Sequence, residues 1–258
     1  MMTRYRAWMN GKALDEIAES IIITDIVEQE PEMDAISLPL AGRSGSRLQS
    51  RHRRSKTVQI QLMIREYDVK TRKDVYNQVL AWAQSGDLEI NDREGLVLHG
   101  VRLTGESSVS ALKWTEKITL SLTAYDVPYW MDKKALTLRK SGGSPVTLQF
   151  AARGNVPGWV DLTVVNKGTE PLYGLSIQTN NKHYFYMNGI NLAPESVLVI
   201  SHDDAGVLSI EVDGQSAMSK RSGLSADDLV MDVQSWNAVS VFNGQEIEVT
   251  VSVRGLWL

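Results

Sequence analysis

The stretch Val58–Arg65, with the sequence VQIQLMIR, decides the fold class of this chain. Apolar side chains at positions 58, 60, 62 and 64 alternate with mostly polar ones. Because successive side chains of a β-strand point to opposite faces, this period of two predicts a strand with one buried face. The stretches Lys117–Ala124 and Glu246–Val253 repeat the pattern. The chain is therefore predicted to be mainly β.

Shorter alternating runs and turn dipeptides extend this prediction along the chain. The shorter runs lie at residues 88–90, 97–103, 162–165, 197–200 and 208–212. Asn-Gly or Asp-Gly pairs begin at Asn10, Asn188, Asp213 and Asn243. These residue types accept the positive φ angles of tight hairpins, so we expect neighbouring strands to be antiparallel.

One segment, Thr71–Ser85, departs from the strand pattern. Its apolar residues at positions 75, 76, 79, 80 and 83 have the spacing of one helix face. Thr71 and Asp74 form a weaker version of a capping box, and Gly86 stands where a helix-ending glycine is common. The sequence predicts one amphipathic helix that lies across a sheet.

The middle of the chain contains a predicted domain boundary. The aromatic segment Tyr125–Trp130 closes one series of strands, and charged residues and the loop Ser141–Pro145 follow it. A second series of strands then continues to the end of the sequence. We therefore predict two domains, an N-terminal antiparallel β-sandwich with one helix at residues 1–132 and a C-terminal β-sandwich at residues 133–258.

Composition and charge exclude several classes of protein. The 27 basic and 31 acidic side chains leave a formal net charge of -4, without the general positive field of a nucleic-acid binder. The absence of cysteine excludes disulfides, thiolate metal sites and cysteine nucleophiles. The sequence start has no apolar signal-peptide core, and no stretch has the roughly 18 apolar residues of a membrane helix. We expect a protein that is made in a reducing compartment and has no membrane partner.

The most unusual stretch is Gly42–Lys56, which carries six basic side chains and almost no apolar residue. Acidic residues precede it, at Glu28, Glu30, Glu32 and Asp34. Three interpretations remain open: a solvated loop between strands, a surface that pairs with acidic groups of a second copy, or a nucleic-acid arm. The third is the weakest, because the stretch has no aromatic residue for base stacking and the acidic neighbours repel phosphate.

Few residues have the spacing that catalysis or metal binding requires. The four histidines lack i, i+4 pairing, and His202-Asp203-Asp204 fits a turn better than a metal corner. Asp227 and Asp228 are adjacent, so on a strand their carboxylates point to opposite faces. The sequence also lacks a Gly-x-Ser-x-Gly elbow and a phosphate-binding glycine loop. We therefore expect no enzymatic activity, no cofactor and no metal.

Aromatic residues of the second half allow a different function. Tyr184 and Tyr186 have the parity to share one face of a strand, and exposed aromatics on a β-sandwich can stack on sugar rings. Aromatic residues of sandwiches belong to the core more often than to a binding face. Saccharide binding that aids host adhesion is therefore retained as the alternative function.

The order of these features resembles the distal tail proteins (Dit) of long, non-contractile-tailed bacteriophages. The resemblance covers nearly the whole chain and is most specific between Val58 and Trp130. Its segments are Trp8–Gly11, Val58–Arg65, Leu80–Trp82, Gly86–Ile90, Trp114–Leu120 and Tyr125–Trp130, followed by Pro157–Trp159, Asn188-Gly189, Leu208–Asp213 and Ile247–Arg254.

The resemblance implies a structural protein of the virion, at the distal end of the phage tail, synthesised in the host cytoplasm. Members of this family form a hexameric ring, single or doubled, with a galectin-like C-terminal β-sandwich on the outside. The ring joins the tail tube protein to the tail-associated tip protein and often to receptor-binding proteins. Extended members of the family carry inserted sugar-binding modules, and from the length of 258 residues we expect none here.

The resemblance also implies a subunit interface. The belt with which family members grip the adjacent subunit corresponds here to residues 28–56. We expect Glu28, Glu30 and Glu32 of one subunit to approach Arg51, Arg53 and Arg54 of the next. DNA passes through the ring, so we expect the arginines to be paired at the subunit boundary and not to face the channel.

Overall fold

The computed structural model describes residues 5–31, 33–39, 46–112, 114–180, 183–223, 228–233, 236–243 and 245–258. The chain divides into two compact units, Met1–Trp130 and Met131–Leu258. Both units consist of antiparallel strands, and the described residues include one α-helix. The predicted fold class, mainly β with one helix, is confirmed. No helix in these ranges is long and apolar enough to cross a membrane.

Among its described residues, the first unit contains nine strands and the helix. They are β1 (Ala7–Met9), β2 (Lys12–Ala13), β3 (Ile21–Gln29), β4 (Met33–Pro39), β5 (Ser46–Arg53), β6 (Lys56–Arg65), α1 (Val69–Ala83), β7 (Ser85–Ile90), β8 (Leu96–Leu112) and β9 (Thr115–Ala124). Seven of the strands form one sheet in the order β2-β1-β7-β8-β9-β6-β3. Strand β6 pairs with β3 on one side and with β9 on the other. Its residues Val58, Ile60, Leu62 and Ile64 are buried, as the alternation predicts.

The N-cap of the helix lies three residues before the predicted cap Thr71. Asp68 is the N-cap, and its carboxylate accepts hydrogen bonds from the amide and the hydroxyl of Thr71. The buried face includes Val75, Val79 and Trp82, and α1 contacts β6. The expected helix-ending role of Gly86 is wrong. Gly86 belongs to β7 and has a φ of 151°, and a Cβ there would lie 2.3 Å from the side chain of Asn10.

Strands β4 and β5 form a separate two-stranded sheet. We call this hairpin, Met33–Arg53, the arm. It leaves the main sheet after β3 and returns to it at β6. The interpretation of the basic stretch as a loop is therefore wrong for residues 46–53, which form β5 and pair with β4. Sequence patterns did not indicate the strand because it has no apolar alternation.

The second unit contains two sheets of at least four strands each, and they share one core. Its strands, after β10 (Trp130–Asp132) at the boundary, are β11 (Leu136–Gly142), β12 (Val146–Ala151), β13 (Gly158–Asn166), β14 (Leu172–Thr179), β15 (His183–Leu192), β16 (Val197–His202), β17 (Leu208–Val212), β18 (Gln215–Ser216), β19 (Val230–Met231), β20 (Trp236–Phe242), β21 (Ile247–Val253) and β22 (Leu256–Trp257). One sheet has the order β11-β21-β13-β16-β17-β18, and the other has the order β12-β20-β14-β15. Residues from both sheets form one buried cluster, which is typical of a β-sandwich.

Two of the four predicted hairpin turns are present. Asn10 and Asp213 have φ angles of 51° and 50°, and each lies between two short antiparallel strands. The predicted turn at Asn188 is wrong, because Asn188 lies inside β15. The turn predicted at Asn243 includes Gly244, which lies outside the described residues.

Candidate subunit interface

The predicted interface residues lie at or near the base of the arm. Arg53 ends β5, and Arg54 follows it. The Arg54 Nε lies 2.7 Å from an oxygen of Asp34, so this exposed arginine pairs with the opposite strand of its own hairpin. Glu32 and the Arg51 side chain lie outside the described part of the chain. The arm therefore carries both signs of charge close together.

Arg53 and Glu30 have different surroundings. The charge of Arg53 acts on Tyr129: burial raises the pKa of the Tyr129 hydroxyl, and the guanidinium opposes this increase. Arg53 therefore lies near a tyrosine of its own chain. Glu30, by contrast, is exposed just before the arm begins. Of the two predicted acidic residues that the structure describes, Glu28 and Glu30, it is Glu30 that has the exposure a contact with a neighbouring subunit requires.

Glu28 makes its contacts within its own chain. Its carboxylate is bound by the Arg93 guanidinium at 2.8 and 3.2 Å, by the Trp130 indole at 2.9 Å and by the Lys56 ammonium at 3.0 Å. Burial alone would raise the pKa of Glu28, but the hydrogen bonds and the charge of Lys56 outweigh it and lower the pKa. Because both carboxylate oxygens are occupied, we remove Glu28 from the expected contacts between subunits.

The second predicted contact, Tyr184 and Tyr186, lies on β15 at the edge of its sheet. The two rings are stacked, with centroids 5.8 Å apart and planes 4° from parallel. Their predicted placement on one strand face agrees with this geometry. Tyr184 is 42% exposed, whereas Gln178, its partner on β14, is buried. This face of the sheet therefore carries two stacked tyrosine rings beside the polar side chain of Gln178.

Sequence analysis missed a charged cluster around His202 in the second unit. The His202 Nδ1 lies 2.9 Å from Asp161, its Nε2 lies 2.5 Å from Asp228, and its ring stacks on Trp159. Burial would lower the pKa of His202, but hydrogen bonds and charges of the two aspartates raise it to about 9. No short spacing signals this cluster, because its members come from distant parts of the sequence.

The geometry of this cluster favours a structural role. The two carboxylates bind opposite nitrogens of the imidazole, so they do not converge on a common point where a metal ion could sit. Among the described residues, no group of three or more His, Cys, Asp or Glu side chains is arranged to hold a metal. The imidazolium therefore links β13, β16 and the segment that contains Asp228.

Comparison with solved structures shows which known architecture the chain shares. The crystal structure of the phage SPP1 Dit protein matches 98% of this chain and 99% of that chain, with a TM-score of 0.69 and 10% sequence identity. This chain has the Dit fold. The resemblance noted from the sequence is thereby confirmed at the level of the fold.

Other comparisons add little. A chain of the phage P2 baseplate in its activated conformation with Ca matches 99% of this chain and 98% of that chain, with a TM-score of 0.45 and 8% identity. The same baseplate with Sr gives a TM-score of 0.43, with 8% identity, 96% of this chain and 97% of that chain. No family model matches the sequence, and no curated protein matches it.

Proposed function

We propose that this chain is a structural hub of a bacteriophage tail, which forms a hexameric ring and joins the tail tube to the tail tip. The observation that carries the proposal is the shared fold over the full length of both chains. The SPP1 protein is described as a paradigm of the hub adsorption apparatus in phages that infect Gram-positive bacteria. The chain would then reside in the virion, with the tail tube protein, a tip protein and receptor-binding proteins as partners.

The arm supports self-association. A two-stranded hairpin without a further strand or a covering helix is marginally stable in water. The arm is paired with no third strand among the described residues, so contact with another surface would stabilise it. In a ring, symmetry supplies that surface from the next copy and repeats the contact until the ring closes. We propose that Arg51, Arg53 and Arg54 of one subunit meet Glu30 and Glu32 of the next.

The proposal assigns no catalytic step to the chain. The buried histidine cluster, which has the chemistry closest to that of an active site, has both imidazole nitrogens of His202 bound by carboxylates. A general base needs a nitrogen that can reach a substrate proton. His202 is also only 2% exposed, which supports a structural role for this cluster.

The oligomeric state tests the proposal directly. Six chains of 28.7 kDa give a ring of about 172 kDa, and a double ring has twice that mass. We expect light scattering after size exclusion to give one of these masses, and negative-stain images to show a central hole. A monomer at every concentration, with no ring in the images, would contradict the proposed self-assembly.

Saccharide binding is the second candidate, favoured by the stacked pair Tyr184 and Tyr186. Apolar faces of sugar rings pack on exposed aromatic rings, and the buried Gln178 beside the pair supplies amide groups. A glycan array tests this candidate. Binding that is lost in Y184A/Y186A and kept in Y173A, a matched change at another exposed tyrosine, would support it. An array without signal would refute it.

A further inference from the structure

The two points where the chain crosses between the arm and the main sheet are joined by one ion pair. Glu28 is the last residue but one of β3, from which the chain departs, and Lys56 is the first residue of β6, where it returns. The Lys56 Nζ lies 3.0 Å from the Glu28 carboxylate. An ion pair therefore lies at the base of the arm, close to where the chain leaves the sheet and where it returns.

Two further elements of the first unit bind the same carboxylate. Arg93, in the short helical turn Asn91–Arg93 after β7, holds Glu28 through two nitrogens. The indole of Trp130, the last residue of the first unit, donates a third hydrogen bond. We call Glu28, Lys56, Arg93 and Trp130 the anchor. Three side chains hold the Glu28 carboxylate. Because Glu28 lies at the base of the arm, the anchor also holds the base of the arm in place.

The degree to which the anchor is buried indicates that it orients the arm more than it stabilises the folded chain. The Lys56 side chain is 0% exposed and that of Glu28 is 21% exposed. Removing two charges from water costs about as much as their attraction returns, so apolar residues would stabilise the site equally well. Ion pairs and hydrogen bonds differ from apolar contacts in that they are directional, and they fix one arrangement among many.

We propose that the anchor sets the angle at which the arm leaves the sheet, so that the arm is already oriented for the neighbouring subunit before assembly. This inference rests on the proposed ring. A pre-oriented arm loses less conformational freedom when it binds, which favours association. The anchor residues are positioning residues, because they act on the neighbouring copy through the arm.

The absence of cysteine makes a direct distance measurement feasible. Spin labels at Ser50→Cys on β5 and Asn77→Cys on the exposed side of α1 report the distance between the arm and the body of the same unit. Labelled chains are diluted in unlabelled ones, so that only distances within one chain contribute. The test variant E28Q/K56M removes both charges of the pair together, so the buried Lys56 is not left without a partner, and Arg93, whose side chain is 33% exposed, turns to solvent. E94Q, at an exposed glutamate next to Arg93, is the matched control.

We expect one narrow distance peak in the unmodified chain and in E94Q, and loss of that single peak in E28Q/K56M. A double variant whose distribution superimposes on that of the unmodified chain would overturn the proposal. If the double variant does not fold, the distance distribution of R93Q is compared in the same way. R93Q keeps the pair Glu28–Lys56 and removes only the contact of Arg93 with Glu28. Distances within one chain are measurable in a monomer too, so failure of the ring and failure of the anchor give different results.

Discussion

The folded state should lose stability as pH rises, because His202 carries a positive charge between two aspartates. Its pKa is about 9 in the folded chain, against an ordinary value of 6.5. The folded chain therefore holds this proton more tightly than the unfolded chain. The stabilisation is fully present below pH 6.5, and it is lost as pH rises from 6.5 through 9.

The magnitude follows from the same difference in pKa. One pKa unit corresponds to about 1.4 kcal/mol, so the change from 6.5 to about 9 gives about 3 kcal/mol of pH-dependent stability. The His202 side chain is 2% exposed, but those of Asp161 and Asp228 are 37% and 28% exposed, so screening by solvent makes this figure an upper bound.

Two assays test this prediction. An NMR titration of the imidazole protons, assigned with H202Q, should give a pKa near 9 for His202, and D228N should lower it. Urea unfolding, followed through amide signals of β13 and β16, should show the loss of stability in the unmodified chain. The matched control H99Q, at a histidine of the first unit, should keep the pH dependence, and H202Q should abolish it. A His202 pKa at or below 6.5, or a full pH dependence in H202Q, would refute the reasoning.

Three further predictions concern the arm and the two cores. R53E/R54E should prevent ring formation at low and moderate salt. The melting temperature of the chain should stay near that of the unmodified protein. An intact ring by light scattering would exclude the charged interface. G206A should destabilise the second unit by about 1–3 kcal/mol, because Gly206 has a φ of 78° and a Cβ would lie 2.4 Å from Trp159. I60A should cost about 2–5 kcal/mol in urea unfolding, because Ile60 is fully buried in β6, which pairs with a strand on each side. A loss below about 1 kcal/mol would contradict that placement.

The sequence predicted those parts of the fold that depend on local periodicity. The alternation at Val58–Arg65 places one face of β6 in the core, and the same pattern at Glu246–Val253 corresponds to β21. These predictions succeed because the period of two is a property of the strand itself. The arm escaped prediction because β5 has a single apolar residue, Leu48, and therefore no alternation of apolar and polar positions.

The candidate site was predicted less completely, because pairing depends on contacts between distant residues. Glu28 and Lys56 are 28 positions apart, and Arg93 lies 65 positions from Glu28. A run of charges in the sequence shows neither which members are buried nor which are paired. Lys56 counts as one more basic residue of the stretch Gly42–Lys56, yet in the structure it is fully buried and belongs to the anchor.

The charged residues at the base of the arm fall into two groups that differ in burial and in their proposed role. The pair Arg54 and Asp34 is 2.7 Å apart and in contact with solvent, so salt weakens it. In the pair Glu28 and Lys56 the lysine is fully buried and the glutamate is 21% exposed, so salt screens it less, and loss of Glu28 would leave a buried charge without a partner. A ring that assembles through the first group and orients its arms through the second would dissociate in high salt without losing the direction of the arms. In the proposed ring, that separation would allow assembly to be reversible while each subunit keeps the geometry that assembly requires.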